Sequence, residues 1–329
     1  METAAANDKK LEETGEKMLE HLSRKGLLHL FIVYTVWSTT YLAMRVGVTP
    51  ANGFPPFVFG AVRMAAAALI LFGLARLQKQ PLKATRDELF SLALVGNMLW
   101  MGGNGLVLWA VQYAGSGFAS LIVASAPIWA TMIELVVFKK KPSAILIVSL
   151  FIGFMGVAVL SLPSFNKGTS QDMLSVIALV VSAICWSLGS VIQTRRPVNL
   201  PPQVMSGYHQ LFASVGFLLM SLALGEPAPH PTSSAWLAWG YLVVFGSVFA
   251  FTSYIFALKL LPINIVMTYA YVNPAIALFL GWLILKEPIG TWTLLGAALV
   301  VVSVFGIFRV KQQVKPSLPL KTECVSDNT

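Results

Sequence analysis

The chain has 329 residues, 56% of them hydrophobic and 11% charged, with a mean hydropathy of +0.73. A soluble domain carries about 25% charged residues, so a chain of this composition fits only a lipid environment. The net charge of +9 is spread over short loops rather than gathered in one patch, which excludes a nucleic-acid partner. Cys185 in an apolar stretch and Cys324 near the C-terminus are the two cysteines, and they exclude a disulfide framework.

Residues 1–26 are rich in Glu and Lys and hold no apolar run before a small-residue cleavage site, which predicts a solvated tail and no signal peptide. Leu11, Met18, Leu19 and Leu22 give this tail a weak amphipathic stripe. Ten apolar stretches follow, at residues 27–45, 54–76, 89–112, 116–138, 143–162, 173–193, 203–224, 235–258, 263–285 and 289–309. Each has roughly the 20 residues needed to cross about 30 Å of hydrocarbon. In lipid the backbone must satisfy itself within each span, so all ten are expected to be helices.

In chain order, the first span carries Trp37 near its middle, whereas membrane tryptophans usually sit at the interface. Tyr41 lies one turn further on the same face and extends a candidate aromatic wall. Arg63 lies inside the second span, where a charge is costly and points to function. Two roles fit it: a clamp for a substrate carboxylate, or an interhelical hydrogen-bond anchor. The third span carries Asn97, Trp100, Met101 and Asn104 at helical spacing beside Gly96, Gly102, Gly103 and Gly105. Small residues admit close helix approach, so the amides either bond a neighbouring helix or face a cavity; Asn104 lies deepest.

Ser125 and Pro127 stand in mid-span four, and Glu134 lies about one turn from that span's end, beside the Lys139-Lys140-Lys141 turn. A proline within a span removes a backbone hydrogen bond and can turn carbonyls toward a cavity. Glu134 fits proton coupling or a plain interfacial ion pair. Trp186 in span six is again central, while His209 and Gln210 in span seven lie nearer an end. Span nine holds Tyr269, Tyr271, Asn273 and Pro274, and ends at Lys286-Glu287-Pro288. The expected substrate-contacting set is therefore Trp37, Tyr41, Arg63, Trp100, Asn104, Ser125, Pro127, Trp186, Tyr269, Asn273 and Pro274, with Glu134 as a coupling candidate.

Pro127 and Pro274 are 147 residues apart, and the same offset aligns Pro55 with Pro202, Gly60 with Gly207, Arg63 with Gln210, Ala110 with Ala257 and Lys139 with Lys286. With a two-residue gap, Trp37-Ser38 meets Trp186-Ser187. The order and spacing of spans predict an all-α polytopic membrane protein with ten transmembrane helices in two five-helix repeats. Five is odd, so the repeats are inverted, which puts a site near the midplane where they meet. The expected division is an N-terminal tail at 1–26, repeats at 27–162 and 173–309, a linker at 163–172 and a C-terminal tail at 310–329. Lys and Arg at alternate span ends divide 19 to 3, which predicts both termini in the cytoplasm.

In these features the chain resembles the drug/metabolite transporter superfamily, EamA type. The resemblance is carried by Trp37-Ser38, Trp186-Ser187, Arg63, the run-outs Trp109-Ala110-Val111-Gln112-Tyr113 and Phe256-Ala257-Leu258-Lys259-Leu260, and the mid-span prolines. It implies export of amino acids, metabolites or drugs through a central cavity. Family members often carry an acidic residue after both the fourth and ninth spans, whereas here the first turn has three lysines and only the second keeps Glu287.

No phosphate loop, His-Glu-x-x-His, Cys-x-x-Cys or pair of intramembrane carboxylates is present. The expected protein is therefore a plasma-membrane or bacterial inner-membrane exporter of a small metabolite, without catalytic residue, metal or cofactor. Its partners are a small-molecule substrate and membrane lipid, with a homo-oligomer left open. A multidrug exporter of the same fold is the alternative, and a membrane-embedded transferase is the alternative from another class.

Overall fold

A computed structural model describes residues 2–48, 53–113, 119, 122–165, 173–196, 198–276 and 290–309, with the side chains of 2–23, 160–165, 293 and 309 excepted. Every regular element among them is helical. We label them α1 Glu2–Gly47, α2 Pro56–Leu77, α3 Arg86–Ala110, α4 Ala126–Phe138, α5 Ala144–Phe165, α6 Met173–Arg195, α7 Pro202–Leu224, α8 Ser233–Leu260, α9 Ile263–Val266 and α10 Thr291–Arg309. Helical residues 269–276 follow α9 after a two-residue turn.

Six of these helices contain spans long and apolar enough to cross a membrane: Arg24–Gly47 of α1, and α2, α3, α6, α7 and α8. Ala126–Phe138, Ala144–Val159 and Leu294–Phe308 are shorter apolar helices. Leu42, Leu69, Leu222 and Leu237 stand exposed on the outside, the pattern of a lipid-facing surface. Residues 114–118 and 166–172, the segment Lys286-Glu287-Pro288, part of the expected ninth span and residues 310–329 lie outside the described residues. The N-terminal segment expected as a solvated tail is continuous with α1, which starts at Glu2.

Local chemistry sets the helix ends. α2 and α7 each begin with Pro directly after another Pro, where a missing N–H costs nothing because no helical partner exists for it. The free amides of Phe57 and Val58 in α2 donate to the two carboxylate oxygens of Glu226, at 3.0 and 2.8 Å. α3 starts with a reciprocal cap between Thr85 and Glu88. α7 ends at Gly225, whose φ of 62° suits glycine.

The helices pair in a regular way. α2 lies along α7 and α5 along α10; α1 packs on α8, and α6 packs on α3. Within α3 the stretch Asn97–Gly105 is π-helical, and so is Leu242–Ala250 within α8, each nine residues long. π-Helical turns shift side-chain register and occur often at functional sites. Two helices are interrupted: a turn at residues 124–125 precedes α4, and a turn at 267–268 separates α9 from 269–276.

Candidate functional site

The π-helical stretch of α3 and the segments beside the two interruptions border a cavity of about 60 Å³, with room for several water molecules. α1 lines it with Trp37, Thr40, Tyr41 and Met44, and α3 with Trp100, Gly103, Asn104 and Val107. The α1 set follows the i, i+3, i+4, i+7 spacing of one α-helical face. Arg63 of α2, Val123, Ser182 and Trp186 of α6, and Tyr269 and Asn273 complete the wall.

Of the eleven residues expected to contact substrate, the structure brings Trp37, Tyr41, Arg63, Trp100, Asn104, Trp186, Tyr269 and Asn273 to this cavity. Ser125, Pro127 and Pro274 are not among its lining residues. Ser125 precedes α4, and its hydroxyl is held between the Ile122 carbonyl and Trp129 Nε1. Pro127 lies in the first turn of α4, so it starts a helix rather than breaking one, and its carbonyl accepts from Thr131 Oγ1 at 2.9 Å. Its influence is indirect: it offers no N–H to the carbonyl of Val123, which does line the cavity. Pro274 is half-buried within helical residues 269–276.

The wall is mainly aromatic. Trp37 meets Trp186 edge-on with centroids 5.4 Å apart and Tyr269 edge-on at 5.0 Å, while Tyr254 lies tilted against it at 5.1 Å. Trp100 extends the group to Trp186 at 6.2 Å. Such edge-to-face contacts hold large rings in fixed directions at little entropic cost. Tyr254 is tied to Ser190 by a 2.6 Å hydrogen bond. With its amide turned so that the nitrogen faces acceptors, Asn273 donates to the carbonyls of Tyr34 and Tyr269, at 3.2 and 3.1 Å, joining α1 to helical residues 269–276.

One charge reaches the wall. Arg63 is 2% exposed, and its Nε donates to Ser247 Oγ at 2.8 Å. Its Nη1 donates to Asn104 Oδ1 at 3.5 Å, and the guanidinium lies 5.1 Å from the Trp100 ring centroid. Glycine lets it in: a Cβ on Gly246 would stand 3.0 Å from Arg63 Nη2. The Gly246 carbonyl accepts from Trp37 Nε1 at 3.3 Å. No carboxylate among the described residues pairs with Arg63. A guanidinium carries five N–H donors, and here two are used on neutral groups, one of them at long range.

Glu134 is elsewhere. It is 5% exposed near the end of α4 and pairs with Arg195 of α6 at 2.7 Å and with Lys140 at 3.5 Å. The partners are therefore Lys140 and Arg195, not the nearer Lys139, which ends the helix with a φ of 54°. Among the third-span amides, Asn97 bonds the Ala93 and Phe212 carbonyls and sits against α7, while Asn104 faces the cavity. The π-helical register separates the two amides.

A model of the EamA-like transporter family matches residues 24–162 and again residues 173–309. The chain belongs to that family. It is 33% identical over 257 residues to the "Uncharacterized inner membrane transporter YedA" of Escherichia coli (strain K12), covering 77% of this chain and 80% of that one. It is 23% identical over 283 residues to the "Uncharacterized transporter YoaV" of Bacillus subtilis (strain 168), covering 85% of this chain and 96% of that one. A solved crystal structure of a protein with 19% identity superposes with a TM-score of 0.70, over 85% of this chain and 95% of its own, which shows a shared fold. With these relatives and its apolar helices, the chain is an integral membrane transporter and not an enzyme.

Proposed function

We propose that this EamA-like transporter is a secondary exporter of a small metabolite bearing a carboxylate, such as an amino acid or a related compound. It works by alternating access through ten spans in two inverted halves, with both termini in the cytoplasm. Arg63 carries the reading: a nearly fully buried guanidinium on an aromatic, amide-bearing wall, with no carboxylate partner among the described residues. Charges in the membrane are costly unless paired, so an anionic substrate supplies the partner and gains a charge-assisted, two-pronged grip. The rings of Trp37, Trp186 and Tyr269 take the apolar part of the substrate.

The helix pairing supports the inverted halves. Exchanging each element for its counterpart five positions on turns α1 against α8 into α6 against α3, and leaves α2 with α7 and α5 with α10 unchanged. The two π-helical stretches fall on counterpart helices, α3 and α8. Interrupted helices near the membrane middle are the usual makers of such sites. The small cavity and its cation weigh against the alternative of a multidrug exporter for bulky organic cations.

Efflux from proteoliposomes across a panel of amino acids, monocarboxylates and organic cations, with and without a proton gradient, tests this proposal. The expected result is export of carboxylates and none of the cations. Export of cations with indifference to carboxylates overturns it.

A further inference from the structure

A second cavity, of about 520 Å³, lies beyond the first, lined by Val48, Phe57, Trp109, Tyr113 and Glu226 among others. The two are close neighbours along two helices. Met44 lines the inner cavity and Val48, one turn later on the same face of α1, lines the outer. On the next helix of the wall, Val107 lines the inner cavity and Trp109 the outer. Along α1 the partition is thus about one helical turn thick, with Met44, 3% exposed, on its inner side.

Met44 is wired to the charge. Asn104 Nδ2 donates to Met44 Sδ at 3.6 Å, while Asn104 Oδ1 accepts from Arg63 Nη1 at 3.5 Å. Both links are weak, the first because a thioether is a poor acceptor and the second because it is long. The other guanidinium bond, Nε to Ser247 at 2.8 Å, is short. An incoming carboxylate therefore takes Nη1 from Asn104 cheaply, since a charge-assisted bond replaces a poor neutral one, while Ser247 keeps Arg63 in place. Asn104 is then free to turn, and a turned amide no longer meets the sulfur.

We propose that Asn104 and Met44 are positioning residues that couple anion binding at Arg63 to opening of the partition between the two cavities. This rests on the carboxylate reading of Arg63 given above. A ligand moves an equilibrium only through a difference in its interactions with the two states, and the exchange of partners at Nη1 is that difference. A neutral ligand of the same shape leaves Nη1 on Asn104 and the partition shut.

The test uses the full chain in lipid nanodiscs, with Cys185→Ser and Cys324→Ser, and nitroxide labels at Val46→Cys and Tyr113→Cys. Val46 and Tyr113 are both exposed, near the ends of α1 and α3. The probes are benzoate and its neutral analogue benzamide, with binding read separately from tryptophan fluorescence. The expected result is a label distance longer by about 3 Å, roughly half a helical turn, with benzoate and unchanged with benzamide. In Met44→Leu, which keeps the volume but lacks the sulfur, benzoate still binds and the distance no longer responds. Benzoate binding that Arg63→Gln abolishes, with an undiminished distance response in Met44→Leu, overturns the coupling while sparing the carboxylate reading. Absence of any Arg63-dependent benzoate binding overturns both.

Discussion

Arg63 and Gln210, 147 residues apart in the chain, converge on one residue: Arg63 Nε donates to the hydroxyl of Ser247 at 2.8 Å, and Gln210 Nε2 to its backbone carbonyl at 3.1 Å. They come from α2 and α7, which pack along each other. Gly60 and Gly207 share the same offset and admit Phe217 and Phe72, respectively, from the opposite helix. At these matched places one half offers a cation and the other a neutral amide. The cavity's charge is therefore lopsided although its scaffold is even.

Gly246 and Gly103 separate a positioning effect from a packing effect. In Gly246→Ala the new Cβ stands 3.0 Å from Arg63 Nη2, the far end of a long side chain, which shifts by a few tenths of an ångström. Carboxylate flux is expected to fall several-fold with little change in Tm. In Gly103→Ala the Cβ stands 2.8 Å from the rigid Trp186 ring, so α3 and α6 must part. That overpacking costs about 1–3 kcal/mol, and differential scanning fluorimetry should show it; equal Tm losses in the two variants would contradict the distinction.

Trp37 is best probed with phenylalanine. It is buried among three rings, and truncation to Ala would cost about 3–5 kcal/mol, which confuses folding with transport. Trp37→Phe keeps the ring contacts and removes the Nε1 bond to Gly246 at 3.3 Å. A bond of that kind is worth about 1 kcal/mol. Flux should fall roughly five-fold while melting stays close to the parent; unchanged flux would remove Trp37 from the site.

Glu134 is expected to be structural. It lies away from the cavity and joins α4 to α6 through Arg195, whose side chain is 38% exposed. A double-mutant cycle of Glu134→Gln and Arg195→Gln should give a coupling near 1 kcal/mol, as expected for a partly screened pair. Any stimulation of transport by a pH gradient should survive Glu134→Gln. Its selective loss, with substrate exchange intact, would make Glu134 the coupling carboxylate.

Topology follows from the uneven distribution of Lys and Arg. Reporter fusions after Lys83 and after Pro229 are expected to lie on opposite sides of the membrane, since an odd number of spans separates them in the ten-span reading. Finding both on the same side would contradict that reading.

The wall of the cavity was legible where a residue was out of place in an apolar span. Trp37 and Trp186 at mid-span, Arg63 and Asn104 each lacked an ordinary reason to be in lipid. Gly246, Ser247 and Met44 were not legible. Small residues are common in membrane helices, and only the crossing of α2 over α8 makes Gly246 a seat for a guanidinium. Met44 is apolar among apolar residues, and its sulfur matters only because Asn104 faces it. The π-helical turns have no compositional signature, so Asn97 and Asn104 read as one face when they serve different neighbours. Pro127 pointed to an interrupted helix, but the helix restarts at Ala126 with the proline in its first turn, which leaves its ring out of the cavity.

Arg63 is expected to grip a carboxylate during transport, and counterflow of labelled benzoate and benzamide in proteoliposomes reads that grip. Arg63→Gln copies the residue at the paired position 210 and keeps a hydrogen-bond donor for Ser247. A charge-assisted bond is worth about 1.5–3 kcal/mol, so benzoate counterflow should fall roughly 10- to 100-fold in this variant, with melting close to the parent and no matching change for benzamide. Full benzoate counterflow in Arg63→Gln would rule out the carboxylate grip and leave Arg63 as an anchor between helices.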